Sequence, residues 1–181
     1  MNDKITKERV DCLHPLIKCL VETCIEQAEV CLGKYACIRV VQGFRTFPEQ
    51  ASLFSLGRTI KNPSGATPAK PMGNIVTNAK AGQSNHNYGL SIDFAILYDK
   101  DKNGTFETLS WDLIADFNKD GEADWKEVVY CFTSAGFAWG GNWHTLKDNP
   151  HLEMTFGLNW RQMLERHNNK DFIAGTEFIR I

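Results

Sequence analysis

The chain has 181 residues, which is enough for one domain with a hydrophobic core. Its formal net charge is -2, and its 23% charged and 43% hydrophobic residues are ordinary for a globular protein. This balance gives no electrostatic reason to expect a nucleic acid as partner. No run of about 18 apolar residues is present, so we expect no membrane insertion.

The N-terminal segment is charged and lacks the apolar core of a secretory signal, so we expect a protein without a signal peptide. Apolar residues recur every three or four positions over residues 7–32, which predicts a long helix ended by Gly33. Pro15 interrupts this pattern, so the helix either spans the whole segment or begins near Pro15, with His14 or Asp11 leading into it.

Five of the six cysteines are concentrated between positions 12 and 37; the full set is Cys12, Cys19, Cys24, Cys31, Cys37 and Cys131. No CxxC pair occurs, so a cysteine zinc site is not expected. The helical spacing of Cys12 and Cys19 favours reduced thiols that act as small buried hydrophobic side chains. A disulfide or redox role is the alternative.

The rest of the chain predicts short strands and helices without a regular βαβ alternation. The expected strands are residues 37–43, 90–97, 137–139 and 151–154, and the expected helices are residues 47–56, 124–135 and 158–166. Residues 57–83 are rich in Gly, Pro, Lys, Asn and Thr and predict a long irregular segment. We therefore predict an α+β fold in a single small domain over residues 1–181.

Three side chains offer the ligands of a catalytic metal centre. His86, Asp93 and His151 provide two imidazoles and one carboxylate, which can hold zinc (Zn2+) and leave its fourth position open to water. Asp148 is placed to accept a proton from that water. Glu153 follows His151 by two positions on a predicted strand, so it either orients His151 or touches the substrate.

Spacing alone leaves an alternative open for this set, because histidines far apart in sequence also occupy ordinary core or surface positions. His144 is a rival ligand because it lies close to His151 in sequence. His14 and His167 are expected to lie outside the site.

Residues 116–127 fit the pattern of an EF-hand loop, which predicts a calcium (Ca2+) site. The candidate ligands are the oxygen-bearing side chains Asp116, Asn118, Asp120, Glu122, Asp124 and Glu127. The match is weakened by Ala123, where a large aliphatic residue is usual. The alternative is an acidic turn in which Asp124 caps the following helix. A partial echo at residues 99–104 is interpreted as a hairpin turn.

The pattern Ser84-x-His86-x6-Asp93, followed by Asp148-x-x-His151-x-Glu153, resembles the zinc peptidases that cut peptidoglycan stem peptides. These are the D-alanyl-D-alanine carboxypeptidases and the phage L-alanyl-D-glutamate endopeptidases. The likeness covers roughly positions 38 to 157 and includes segments 41–46, 49–53, 57–59, 76–79 and 137–143. Segments 57–59 and 139–143 resemble the endopeptidase branch, especially phage endolysins.

The resemblance implies a zinc DD-peptidase (hedgehog-like) fold, with a central antiparallel sheet and flanking helices. It also implies zinc on His86, Asp93 and His151, with Asp148 as the general base. Arg45 matches the arginine that holds the scissile carbonyl and its developing oxyanion, a role that suits a fixed guanidinium. A surface cation after a strand is the alternative for Arg45.

Four further residues are expected to contact the substrate or support the metal ligands: Glu153, Ser84, Gln50 and Trp143. A plain turn role is the alternative for Ser84. Trp143 belongs either to the wall of the groove or to the core, and Trp139 is expected in the core.

The predicted function is that of a zinc-dependent L-alanyl-D-glutamate endopeptidase acting on peptidoglycan stem peptides, in a monomeric phage endolysin used for host lysis. Such an enzyme would accumulate in the host cytoplasm and reach the cell wall after release by another factor. The alternatives are a D-alanyl-D-alanine carboxypeptidase and a non-catalytic, calcium-responsive module that binds the cell wall.

Overall fold

The computed structural model describes residues 3–181, and its packing divides the chain into two compact units. The first is built from the residues up to Phe44 together with Leu90–Met154, and the second from Arg45–Gly89 together with Thr155–Ile181. Residues 1 and 2, which belong to the predicted domain and to the N-terminal segment, lie outside the described residues. The single domain over residues 1–181 stays a prediction.

The predicted α+β class is confirmed, since the chain forms five α-helices and one antiparallel sheet of five strands within the described residues. The helices are α1 Lys4–Asp11, α2 Pro15–Leu32, α3 Phe47–Ser55, α4 Asp124–Ser134 and α5 Trp160–Asn168. The strands are β1 Ala36–Gln42, β2 Ser91–Tyr98, β3 Thr108–Ser110, β4 Ala138–Trp139 and β5 His151–Glu153.

The sheet of the first unit is organised around β2, whose residues are almost all buried. β1 pairs with β2 along one edge, while β3 and β5 pair with different halves of the other edge, and β4 pairs with β5. β2 and β3 form the hairpin that was predicted around residues 99–104. The strand β3 itself was missed, because three residues are too few to show an alternating pattern.

The long N-terminal helix is two helices that meet before Pro15. Pro15 occupies the first turn of α2, where its missing N–H costs nothing, and the His14 side chain accepts a hydrogen bond from the Leu16 N–H. His14 is therefore a buried helix cap. The predicted start near Pro15 is confirmed, and a continuous helix over residues 7–32 is wrong.

The core of the first unit lies where α2 and α4 pack against each other and where the sheet meets α4. Phe94 of β2 stacks on Trp125 of α4 with ring centroids 4.4 Å apart.

All six cysteines are free, but the expectation of core thiols holds only for Cys24 and Cys37, since Cys12 and Cys19 are exposed. Cys12 lies in the break between α1 and α2, whereas Cys19 lies in α2. The two cysteines therefore do not share the face of one helix, although their spacing predicted it.

The second unit is held by caps, turns and polar contacts around α3. Thr46 and Glu49 form a reciprocal capping box at its start. Residues 57–83 form turns with isolated bridges, as predicted. Gly82 has a positive φ of 80°, which favours glycine, and a Cβ there would lie 2.8 Å from a methyl group of Leu164 in α5, which would have to shift.

Within residues 3–181 no helix is long and apolar enough to cross a membrane.

Replacing Trp125 tests the packing between β2 and α4. Trp125→Ala is expected to lower the free energy of unfolding by about 3–5 kcal/mol, because it leaves a large cavity beside Phe94. The buried indole N–H has no hydrogen-bond partner among the described residues. Trp125→Phe should therefore cost much less, since it also removes this unpaired donor. Urea unfolding of both variants checks the difference; equal losses would contradict it.

Candidate metal centre

The pairing of β2 with β5 places two of the predicted ligands opposite each other. Asp93 of β2 is the register partner of His151 of β5, and Ser91 is the partner of Glu153. Because alternate residues of a strand share a face, these four side chains lie on one face of the sheet. The Asp93 Oδ1 is 3.0 Å from the His151 Nδ1.

Glu153 contacts the other ring nitrogen of His151, with its Oε2 2.8 Å from Nε2. Burial lowers the pKa of His151, but the hydrogen bonds with Asp93 and Glu153 outweigh burial and raise the pKa to about 9. A metal ion needs the neutral imidazole, so its binding displaces a proton. His151 and Asp93 would hold such an ion together, and the contact of Glu153 with Nε2 supports the orienting role for Glu153.

His86 lies in a short 3₁₀ turn, Asn85–Tyr88, directly before β2. Gly89 ends this turn in the left-handed conformation, with a φ of 67°, and so redirects the chain into the strand. One ligand atom from each of His86, Asp93 and His151 lies within 4.8 Å of the others. The three ligands predicted from distant segments are therefore brought together, and His144 is not part of this group.

The donor set suits a catalytic transition metal. Two imidazoles and one carboxylate are the ligand types that zinc accepts, and three protein ligands leave a position for water or substrate. His86 and His151 are buried, with 4% and 6% of their surface exposed, so a bound ion would be shielded from bulk solvent. The residues present thus fit a metal ion of this class.

Asp148 lies in the turn that leads into β5, and its side chain is exposed. The turn is closed by the His151 N–H donating to the Asp148 carbonyl, at 3.1 Å. The Asp148 N–H donates to the Gly140 carbonyl, also at 3.1 Å. A Cβ on Gly140 would approach the Asp148 carbonyl oxygen to 2.5 Å, so only glycine allows the two segments to lie this close.

Trp139 ends β4 and contacts this turn; it is not one of the buried core residues, so its predicted core position is wrong. Its ring is only half-buried, and its indole N–H donates to the Asn149 carbonyl at 2.7 Å. Gly141 lies against the ring, where a Cβ would come within 2.2 Å of it. The Gly-Gly pair after Trp139 was the sequence signal for this close contact.

Trp143 forms part of the surroundings of His151, with ring centroids 5.1 Å apart. This contact favours a wall beside the metal ligand over a place in the core. Ser84 precedes the turn that carries His86, and its carbonyl accepts the Asn87 N–H at 3.0 Å. That bond fits the turn role for Ser84; a contact of its hydroxyl with substrate stays a prediction.

Arg45 is held by α3 and by the segment that carries His86. Its Nη1 donates to the Gln50 Oε1 at 2.8 Å, and the Gln50 Nε2 donates to the Ala79 carbonyl at 2.7 Å. The Arg45 N–H donates to the His86 carbonyl at 3.0 Å, and the Asn87 amide donates to the Arg45 carbonyl at 2.8 Å.

Gln50 is fully buried, and both its amide oxygen and its amide nitrogen form hydrogen bonds within the protein. Its predicted supporting role is consistent with these contacts. Asn87 was not singled out from the sequence, although a polar residue in an otherwise buried turn is a signal for such a role.

The six predicted calcium ligands do not form a compact group among the described residues. The Asp116 carboxylate accepts the N–H groups of Lys119, Asp120 and Gly121. Asp124 is buried and accepts the Tyr98 hydroxyl and the Phe117 N–H. Asp124 is the first residue of α4 and Ala123 is its N-cap, so the alternative in which Asp124 caps the helix is wrong.

Glu127 faces the same loop from α4. One of its carboxylate oxygens is buried and has no hydrogen-bond partner within residues 3–181. Burial, together with the carboxylates of Asp120, Asp124 and Asp116, raises the pKa of Glu127 to about 7. The ionised form of this side chain is therefore disfavoured unless a cation compensates it.

A second compact acidic group lies in the hairpin between β2 and β3, where Asp99, Asp101 and Glu107 offer carboxylates within 4.8 Å of one another. The Asp99 carboxylate accepts the N–H groups of Asn103 and Gly104. These bonds are typical of an acidic turn, which agrees with the predicted hairpin.

The fold and the donor set define a small α+β protein with a candidate metal centre. A family model described as D-alanyl-D-alanine carboxypeptidase matches residues 77–154. The peptidoglycan L-alanyl-D-glutamate endopeptidase CwlK of Bacillus subtilis (strain 168) is 42% identical over 142 residues, which cover 78% of this chain and 73% of that protein. The chain therefore belongs to the M15 metallopeptidase family.

A solved structure supports the fold. The L-Ala D-Glu endopeptidase ChiX of Serratia marcescens matches with a TM-score of 0.50 and 20% sequence identity, over 84% of this chain and 88% of that chain. The expected fold, with a central antiparallel sheet and flanking helices, is thus confirmed.

Removing the Glu153 carboxylate should weaken metal binding, because the His151 ring then loses the partner of its Nε2. Glu153→Ala is expected to lower the affinity for Zn2+ about 10- to 100-fold, and Glu153→Gln less, since an amide oxygen can accept the same bond. Competition with a chromophoric chelator measures the affinity. Glu26→Ala, on the exposed side of α2, is the control. Unchanged affinity in Glu153→Ala would show that Glu153 does not support the ligand.

Proposed function

We propose that this chain is a zinc-dependent L-alanyl-D-glutamate endopeptidase that hydrolyses peptidoglycan stem peptides. The observation that carries the proposal is the group of His86, Asp93 and His151, with ligand atoms within 4.8 Å of one another. The activity named for CwlK, at 42% identity over most of both chains, supports the choice of bond.

The catalytic roles follow from the chemistry of each side chain. When bound, zinc supplies Lewis-acid activation of water and of the scissile carbonyl. Asp148 accepts a proton from the attacking water and returns it to the leaving amine as the C–N bond breaks. Arg45 donates hydrogen bonds to the carbonyl oxygen as negative charge develops there, and Gln50 holds its guanidinium in place. Glu153 keeps the His151 ring in the orientation in which it would hold the metal.

The proposed biological role is lysis of a bacterial host by a phage endolysin. It is supported by the likeness of segments 57–59 and 139–143 to that branch of the family. In this role a monomeric enzyme would accumulate in the host cytoplasm and act on the wall after release by another factor. Expression in a bacterium with and without a membrane-permeabilising protein tests it. Lysis only when both are present is expected; no lysis with both would contradict it.

A D-alanyl-D-alanine carboxypeptidase is the second candidate, favoured by the description of the family model that matches residues 77–154. It would use the same metal centre but require a free terminal carboxylate in its substrate. A defined stem peptide distinguishes the two activities. Release of a new glutamate amino group supports the endopeptidase, and release of free D-alanine supports the carboxypeptidase. Binding to cell walls without either product would indicate a non-catalytic module.

Asp148→Ala tests the general base. The variant is expected to lose about 10²- to 10⁴-fold in kcat while keeping one zinc per chain, because Asp148 is not a metal ligand in this mechanism. New amino groups released from purified cell walls measure the rate, and metal analysis measures the zinc. Asp112→Ala, in the exposed segment after β3, is the control for loss of a surface carboxylate. Full activity of Asp148→Ala would exclude its role as base.

We also propose that residues 116–127 bind calcium. Support comes from the loop pattern and from Glu127, whose buried oxygen lacks a partner within the described residues and whose pKa is raised to about 7. The engaged carboxylate of Asp124 would have to leave Tyr98 or act through water, as the ninth loop position often does.

Calcium should raise the Tm of the protein near pH 7.5, because it compensates the charge that Glu127 carries above its raised pKa. Glu127→Gln should remove most of this rise. In calcium-free buffer, the wild type should lose stability as the pH rises from 5 to about 8, because the Glu127 carboxyl must then ionise in a site that disfavours its charge. Glu127→Gln has no such carboxyl and should lose less stability over the same range. A Tm of the wild type that does not respond to calcium would refute the site.

A further inference from the structure

Residues 75–79 carry the carbonyl group that binds the Gln50 amide, yet this segment has little packing of its own. It forms no helix or strand, and even its least exposed members, Thr77 and Ala79, are only half-buried. Its backbone groups form no hydrogen bond with other backbone groups of the described residues. The side chains that bind the segment therefore decide its position.

Arg58 binds this segment with both terminal nitrogens of its guanidinium group. Its Nη1 donates to the Thr77 carbonyl at 2.9 Å, and its Nη2 donates to the Asn78 Oδ1 at 3.1 Å. The Gln50 Nε2 donates to the Ala79 carbonyl at 2.7 Å. The Thr77 hydroxyl accepts the Ala79 N–H at 3.2 Å, so the parts of the segment that Arg58 and Gln50 bind are also joined to each other.

The guanidinium of Arg58 is itself held by the end of α3. Its Nη1 also donates to the Phe54 carbonyl at 2.6 Å, and its Cζ lies 3.9 Å from the centroid of the Phe54 ring. A guanidinium that is stacked on a ring and donates in two directions is fixed in a way that a lysine ammonium cannot reproduce. Since Gln50 also belongs to α3, Arg58 ties this helix to the segment that Gln50 binds.

We propose that Arg58 is a positioning residue for Arg45 and acts through residues 75–79 and Gln50. This role rests on the proposed function, because it matters for catalysis only if Arg45 acts on the scissile carbonyl. Arg58 lies in segment 57–59, which resembles the endopeptidase branch and to which the proposed mechanism gives no part.

The contacts are continuous from Arg58 to Arg45. The Gln50 amide accepts the Arg45 Nη1 at 2.8 Å with its oxygen and binds the Ala79 carbonyl with its nitrogen. Without Arg58, the Ala79 carbonyl is free to shift, and the Gln50 amide follows it. The Arg45 guanidinium then loses its aim at the developing oxyanion, and a misplacement of about 1 Å can cost roughly 100-fold in rate.

Arg58→Ala should lower kcat about 10- to 100-fold on a defined stem peptide, with KM and zinc content unchanged, because the oxyanion develops only after substrate binds. Arg58→Lys should recover only part of this loss. Arg161→Ala is the matched control, since Arg161 is exposed and also stacks on a ring, with its Cζ 4.4 Å from the Trp160 centroid. It should keep full activity.

A double-mutant cycle separates positioning from a general structural role. In a Gln50→Ala background, and separately in an Arg45→Lys background, Arg58→Ala should cost less than about twofold more in kcat, because the group it positions is already lost. Two backgrounds are used because replacing the buried Gln50 can disturb folding, which the Tm of each variant reveals. The same loss from Arg58→Ala in every background would overturn the proposal, as would a loss of zinc that accompanies the loss of activity.

The side-chain amide of Gln50 reports the geometry independently of activity. Its NMR signals should shift in Arg58→Ala, and amide exchange at residues 77–79 should become faster, while Arg161→Ala changes neither. An active wild type with unchanged kcat or unchanged Gln50 signals in Arg58→Ala would refute the role of Arg58 alone. A wild type that releases neither product from the stem peptide would refute the proposed function, and with it the part that Arg58 plays there.

Discussion

The antiparallel register of β2 against β5 is the constraint on which the candidate site depends. It sets Asp93 opposite His151 and Ser91 opposite Glu153, so one short ladder supplies a carboxylate, an imidazole and the partner of that imidazole. A slip of one residue would turn these side chains to the other face of the sheet. The packing of β2 opposes such a slip, because the slip would take Phe94 away from Trp125 of α4.

Around the remaining site residues, neutral hydrogen-bonding groups hold charged ones. The Gln50 amide joins the Arg45 guanidinium to the Ala79 carbonyl, and the Asn87 amide joins the chain beside His86 to Arg45. A carboxylate in place of Gln50 would neutralise the cation that the proposed mechanism needs. An amide fixes the same geometry and leaves the charge available for a developing oxyanion.

The two metal motifs of the sequence differ in what the fold does with their carboxylates. The ligand atoms of His86, Asp93 and His151 lie close together. Two of these ligands are imidazoles, which are uncharged when they are ready to bind a metal ion. In residues 116–127 most carboxylates accept backbone N–H groups of their own loop, and Asp124 bonds to Tyr98. Only Glu127 keeps a buried oxygen without a partner in the described part of the chain.

The sequence by itself determined the α+β class and most helices and strands, because hydrophobic period is a local property of residues. Through its resemblance to zinc peptidases it also indicated His86, Asp93 and His151 as candidate ligands. It left the break before Pro15 as one of two options, and it did not determine the short strand β3, the indole contact of Trp139 or the exposure of Cys12 and Cys19. Only the tertiary structure decided that Glu153 faces His151 Nε2 and that Gln50 anchors Arg45. The residues of each pair are close in sequence, but which partner a side chain takes depends on the packing around it, and spacing alone does not encode that packing.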